Sequence, residues 1–231
     1  MNNSNKIVIF DLDGVLFRNY LGLARQVRKF VSKKTHHKVD SCEEKKIATR
    51  MLSVVGGKAN IFYPLRLIYR LGREIGLGPI QSIEFLYFGI QLSKTPRYDP
   101  TPVGGIDNLF TNLEERGYQI GVVSDCSRRR FEHLLSKHEF LRRVPYVVTR
   151  NDVWRVKPSP EGLQRIIDAS RANAKLSYYV DDVPNMIPVA RGMGLRTIGV
   201  LGDLKQYTLD AFIECSPDHL VDWATEISDL I

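Results

Sequence analysis

The sequence predicts an α/β fold: a Rossmann-like core built on a parallel sheet, with a helical domain inserted near its start. Three observations predict it. A short apolar run at Ile7–Phe10 stops abruptly at Asp11, as a buried strand does where it meets its loop. Residues 18–97 then read as helical, with no clear strand. From Pro100 short apolar runs alternate with amphipathic stretches, the pattern of βαβ units joined by right-handed crossovers.

The domain division follows from that change of character. Residues 1–17 and 98–231 form the core, and 18–97 form the insert. In the insert, Leu21 to Val31 keep helical spacing, and Lys33 to Lys38 is a polar break. Ile47 to Val55 suggests a second helix closed by Gly56-Gly57. Ile61 to Ile75 suggests a third, weakened by Gly72 and ended by Gly76 to Pro79, and Ile83 to Leu92 suggests a fourth. In the core, helices are expected at Ile106–Arg116, Arg128–Ser136, Pro160–Ala169 and Met186–Met193. Strands are expected at Gln119–Val123, Tyr146–Thr149, Ser177–Val180 and Thr197–Val200. The tail, Pro217–Leu230, places Leu220, Trp223, Ile227 and Leu230 on one face and reads as a last helix. The first strand most simply joins the same sheet as the later ones.

Length and composition bound the function. A chain of 231 residues, 43% of them hydrophobic, suits one or two domains with a real core. A net charge of +7 suggests an anionic partner, whether a phosphorylated metabolite, a nucleic acid or a membrane surface. The three cysteines, Cys42, Cys126 and Cys215, are far apart, which disfavours a disulfide framework or zinc cluster and fits a reducing compartment. No run approaches transmembrane length, and the first residues lack the apolar core of a signal peptide, so a cytoplasmic location is expected.

The chemistry collects at the carboxyl ends of the strands, where ligands bind in open α/β sheets. Asp11 and Asp13 stand where the first strand stops, and residues at i and i+2 of an extended segment point the same way. Two carboxylates in one small space are costly unless a cation neutralises them or one keeps its proton. The pair therefore predicts a hard divalent ion, and Mg²⁺ suits carboxylates combined with a phosphate. Alone, D-x-D-G is equally a solvated turn. Ser124, the loop bearing Lys157, and Asp181-Asp182 end three further strands. Metal-binding acids, a nucleophilic carboxylate, a hydroxyl and a lysine together are what phosphoryl transfer needs.

D-L-D-G-V-L, V-V-S-D, V-K-P-S-P and Y-Y-V-D-D-V-P-N, in this order and at these separations, resemble the haloacid dehalogenase superfamily in its phosphatase branch. The resemblance covers nearly the whole chain and implies a Rossmann-like parallel sheet core with an inserted helical cap domain of the C1 type, which closes over the site and selects the substrate. It implies Asp11 as nucleophile and Mg²⁺ ligand, and Asp13 as general acid/base with its main-chain carbonyl on the metal. Ser124 and Lys157 become the phosphate holders, and Asp182, assisted by Asp181, completes the metal site. The last motif departs from the family's usual form, with Asp181 in place of Gly and Met186 where a further acid often stands. How metal duty divides between Asp181, Asp182 and, as a further candidate, Asn185 stays open in the sequence. The presence of Asp13 favours a phosphatase over members that cleave carbon–halogen bonds.

The expectation is Mg²⁺-dependent hydrolysis of a small phosphorylated metabolite through an aspartyl-phosphate, by a monomer or homodimer, with nucleic acid and membrane not expected as partners. The residues also admit a phosphonate or carbon–halogen hydrolase, a phospho-accepting regulatory domain, or a non-catalytic protein binding phosphate or nucleic acid. Asp125 is expected either to cap the helix after Ser124 or to contact the phosphate. The Arg128–Arg130 run reads as a solvated helix start, His36-His37 as a polar loop, and Cys126 carries no chemistry.

Overall fold

The computed structural model describes residues 5–18, 29–34, 69, 72–73, 76–94 and 100–231. The chain divides into two compact units, Met1–Arg18 with Thr101–Ile231, and Asn19–Pro100.

The larger unit is built on a six-stranded parallel sheet. Its strands are β1 (Lys6–Phe10), β4 (Tyr118–Ser124), β5 (Tyr146–Thr149), β6 (Tyr178–Asp181), β7 (Arg196–Val200) and β8 (His219–Val221), in the order β5-β4-β1-β6-β7-β8. The order places β1 in the middle. After β1 the chain builds outward on one side through β4 and β5, then returns to the other side for β6, β7 and β8. The reversal opens a crevice at the carboxyl end of β1, between β4 and β6.

Both faces of the sheet are covered, which is why its strands are almost continuously apolar. Successive side chains of β1 go to opposite faces. Val8 and Phe10 join one core with Leu109, Phe110 and Leu113 of helix α2 (Ile106–Glu115) and Phe131 and Leu134 of helix α3 (Arg128–Lys137). Ile7 and Ile9 join the other with Leu163 and Ile166 of helix α4 (Glu161–Ser170) and Ala190 of helix α5 (Ile187–Gly192). Each fully buried Ile or Phe here contributes about 1.5–3 kcal/mol of transfer free energy. Gly199 of β7 has a packing reason: a Cβ there would lie 2.7 Å from the Phe212 ring of helix α6 (Lys205–Cys215).

A two-stranded antiparallel ribbon, β2 (Phe17–Arg18) against β3 (Thr101–Pro102), ties the two points where the chain leaves and re-enters this unit. In the smaller unit, helix α1 (Pro79–Lys94) starts at the proline that was expected only to end the preceding segment. Proline is tolerated there because its missing N–H has no partner in a first turn. Phe85 is buried against Phe30, with ring centroids 5.5 Å apart. Gly72 is helical, and a Cβ on it would meet Ser82 Oγ at 2.9 Å. That glycine thus admits a close helix approach. Residues 29–34 are helical, so the first expected helix runs into the polar stretch. The expected helix at 47–55 and the His36-His37 pair lie outside the described residues.

One expectation is corrected, and one helix was not foreseen. The tail is not one helix. It is β8 followed by a 3₁₀ turn at Ala224–Asp229, which sends Ala224 and Ile227 into the core. The 3.6-residue spacing of Leu220, Trp223 and Ile227 mimicked a helix, whereas edge pairing of β8 with β7 decides the outcome. Helix α6 went unrecognised because, among its described side chains, only Thr208 and Phe212 are buried, too few to mark an apolar stripe.

Candidate active site

The D-L-D-G-V-L-F segment separates its residues by polarity. Asp11 N–H continues the sheet ladder to Val180 O (2.8 Å), which leaves its carboxylate at the tip of β1. The chain then coils tightly, with Leu16 N–H and Phe17 N–H both donating to Leu12 O. Gly14 sits at φ 93°, in the left-handed region where a Cβ is strained. Leu12, Val15, Leu16 and Phe17 are fully buried and anchor the loop, while Asp11 and Asp13 stay at its rim.

Register brings the acids of β6 to Asp11. Phe10 pairs with Val180, so Asp181 lies level with Asp11 on the adjacent strand. Carboxylate oxygens of Asp11, Asp181 and Asp182 all lie within 4.8 Å of one another, and all three residues are buried. Lys157 enters this group from the loop after β5. Its Nζ donates to Asp11 Oδ1 at 2.6 Å and to Asp181 Oδ2 at 3.3 Å.

Three carboxylates hold that loop in place. Asp152 accepts from Thr149 N–H and Oγ1, and Glu161 accepts from the N–H groups of Trp154 and Arg155. Asp125 Oδ1 accepts from Lys157 N–H at 3.2 Å. Asp125 therefore does not cap the helix after Ser124. The cap is Ser127, whose hydroxyl accepts from Arg130 N–H. Ser124 ends β4 beside β1, buried, and its Oγ accepts from Cys126 N–H at 3.1 Å.

The charges are strongly coupled. Burial pushes the Asp11 carboxyl up to about 7; Lys157 lowers it and Asp181 raises it again. Burial alone would lower the Lys157 ammonium, yet Asp11 and Asp181 hold it well above its usual value. Burial pushes the Cys126 thiol up to about 11, which keeps it protonated and inert at neutral pH.

Asp13 is brought to a different partner. Its carboxylate lies outside the three-acid cluster and forms a forked ion pair with the Arg130 guanidinium, with Nη2 to Oδ1 at 2.6 Å and Nη1 on Oδ2. Arg128 pairs with Asp152 and also donates to Val147 O. The reading of Arg128–Arg130 as a solvated helix start holds only for the exposed Arg129.

Two residues at the site escaped the sequence reading. Arg130 looked like one charge in a run, although its place in the first turn of α3, next to the end of β4, brings it to Asp13. Tyr179, fully buried, donates its hydroxyl to Asp181 Oδ2. It lies two residues before Asp181, hence on the same face of the strand, and that period-two spacing was the available signal.

The donor set fits a hard divalent cation. Three buried carboxylates face one lysine, and the Asp11 carboxyl is raised first by burial and then by the charge of Asp181, so a bound cation would offset both costs. Oxygen-only donors suit Mg²⁺ rather than a soft metal. Among the described residues no helix is long and apolar enough to cross a membrane.

Comparison with known proteins agrees with this architecture. In Haemophilus somnus, a structure described as a predicted phosphoglycolate phosphatase superposes with a TM-score of 0.72 at 16% identity, covering 100% of this chain and 99% of that one. A conserved haloacid dehalogenase-like protein from Agrobacterium tumefaciens gives 0.69 at 18% identity, covering 98% of this chain and 97% of that one. The pyrophosphatase PpaX of Bacillus mycoides is 32% identical over 120 residues, which are 52% of this chain and 53% of that protein. The chain thus spans about half the length of the curated relatives it matches. The profile of the haloacid dehalogenase-like hydrolases matches residues 70–200, more than half of the chain. With the parallel sheet, the inserted helices and the acidic cluster at the end of β1, this places the chain in the family of haloacid dehalogenase-like hydrolases.

Proposed function

We propose that this protein is a Mg²⁺-dependent phosphatase that hydrolyses a phosphate monoester of a small metabolite through an aspartyl-phosphate on Asp11. One observation carries the reading: the Asp11 carboxylate stands at the tip of the central strand within 4.8 Å of two further buried carboxylates, with Lys157 Nζ 2.6 Å from its Oδ1. A nucleophilic carboxylate, acids for a cation and an ammonium for phosphate oxygens occupy one small space.

Asp11 Oδ attacks phosphorus, forming the P–O bond to the enzyme as the P–O bond to the leaving group breaks. The bonding pair leaves with the departing oxygen, and Asp13 protonates it. Asp13 then takes a proton from water, whose oxygen attacks phosphorus and releases phosphate from Asp11. Lys157 and the Ser124 hydroxyl hold the equatorial oxygens and offset their charge, and Asp125 holds the Lys157 backbone in register. Asp11 and Asp182, with the Asp13 main-chain carbonyl, are the residues that would hold Mg²⁺, which when bound would supply positive charge to offset that of the nucleophile and the phosphate. Asp181 is assigned a supporting role. Its Oδ1 already accepts Val183 N–H (3.0 Å), and its Oδ2 accepts from Tyr179 and Lys157.

The test is covalent trapping. Rapid quenching of enzyme mixed with a ³²P-labelled ester is expected to leave label on the peptide containing Asp11, sensitive to hydroxylamine. Turnover with no label, or label on another residue, refutes the mechanism.

A further inference from the structure

The Asp13–Arg130 pair bears on which substrates the site accepts, given the phosphatase reading above. Both oxygens of Asp13 are engaged by one guanidinium. The two side chains are largely withdrawn from water, Arg130 29% and Asp13 20% exposed. Asp13 is also the group that must meet the departing oxygen. To do so it must surrender at least one fork position, which leaves a partly desolvated guanidinium short of an anion. A charge stripped of its partner in such a setting is strongly disfavoured. A planar fork is best satisfied by another carboxylate or phosphate.

The replacement anion has one convenient source. The departing portion of the substrate lies against Asp13 when its oxygen is protonated. An anionic group a few bonds from that oxygen falls within reach of the same guanidinium. Neither neighbouring arginine is placed to substitute: Arg128 is engaged by Asp152 and Val147 O, and Arg129 is exposed. We propose that Arg130 is a specificity-determining residue that binds an anionic substituent of the leaving group. The preferred substrates are then phosphate compounds whose departing portion carries its own carboxylate or phosphate. Exchange of one anion for another frees Asp13 without leaving Arg130 unpaired.

The experiment measures binding, so its outcome is separable from that of the phosphatase reading, whose failure shows as no Asp11-dependent phosphate release. Mg²⁺-loaded Asp11→Asn protein is titrated calorimetrically with ethyl phosphate and with 2-phosphoglycolate, which share a two-carbon skeleton and differ by a carboxylate. Inorganic pyrophosphate reports whether a phosphate serves equally. The expected result is at least tenfold tighter binding of the anionic ligands. Adding Arg130→Gln brings the preference within threefold, and Arg130→Lys, which keeps the charge but not the fork, gives an intermediate value. A preference below tenfold, or one that Arg130→Gln leaves above threefold, overturns the proposal. Equal weakening of all ligands also overturns it, since that would mean Arg130 only positions Asp13. Should the Gln variant not fold, a Lys variant that keeps the full preference is equally decisive against it.

Discussion

Replacing Asp11 by Asn should make the metal-free protein more stable, although the residue sits at the centre of the proposed chemistry. The carboxyl is raised from its ordinary 3.8 to about 7 by burial, with Lys157 opposing and Asp181 reinforcing the rise. That interval spans about three pH units, each equivalent to about 1.4 kcal/mol, so the ionised form weakens the fold by about 4 kcal/mol. The sign follows from a folded-state value above the unfolded one. The contribution is fully present below about pH 4, is lost steadily as pH rises, and is gone above about pH 7. Asn keeps an oxygen to accept from Lys157 Nζ and removes the charge, though burying its amide returns about 1–3 kcal/mol of the gain. Urea unfolding in chelator across pH 5–8 should therefore show Asp11→Asn about 2 kcal/mol more stable than the parent at pH 8 and the advantage vanishing toward pH 5. Mg²⁺ at a hundredfold excess over the parent's Kd should stabilise the parent by about 2.7 kcal/mol and the variant, which lacks the Asp11 charge and needs more Mg²⁺ to load, by less, so that the gap closes. A difference that is flat with pH, or a variant less stable at pH 8 without metal, would refute the account of the acidic cluster.

Three further outcomes can be checked. Tyr179→Phe, which removes the buried hydroxyl that Asp181 accepts from, should cost about 1–3 kcal/mol of stability and weaken Mg²⁺ binding measured by calorimetry; unchanged binding would detach Tyr179 from the site. Gly199→Ala should lower the unfolding free energy by about 1–3 kcal/mol, because its methyl meets the Phe212 ring at 2.7 Å and Leu220 Cδ1 at 2.8 Å; an unchanged urea midpoint would contradict this. Burial alone would raise Asp218, but the Thr197 hydroxyl and N–H, with Arg191, hold its carboxyl below the usual range. Its contribution is thus present above about pH 4 and lost as pH falls through the lower folded value. At this exposed position Asp218→Asn should cost only about 0.5–1 kcal/mol at pH 7, and nothing at pH 2.

Much of this molecule could be read from its residues because strand ends carry both the fold and the chemistry. Ile7–Phe10 is apolar on both faces, which announces a central strand, and its abrupt stop at Asp11 announces the rim. The alternation after Pro100 announces the parallel sheet, and register then puts Asp181 level with Asp11. What could not be read depends on side chains meeting across elements. Arg130 finds Asp13, 117 residues away in sequence, only because α3 leaves β4 beside β1. The Lys157 loop is aimed by Asp125, whose motif does not announce a bond to the Lys157 backbone, and by Glu161, which lies outside every motif. The tail misled because one turn of apolar spacing is common to a helix and to a short strand followed by a 3₁₀ turn.

The most direct test of the central claim is phosphate release from a panel of phosphate esters, with and without Mg²⁺, with the Asp11→Asn protein as blank. The account predicts Mg²⁺-dependent release that the substitution abolishes while the circular dichroism of the protein is unchanged. Release that survives Asp11→Asn, or that proceeds equally in chelator, would contradict it.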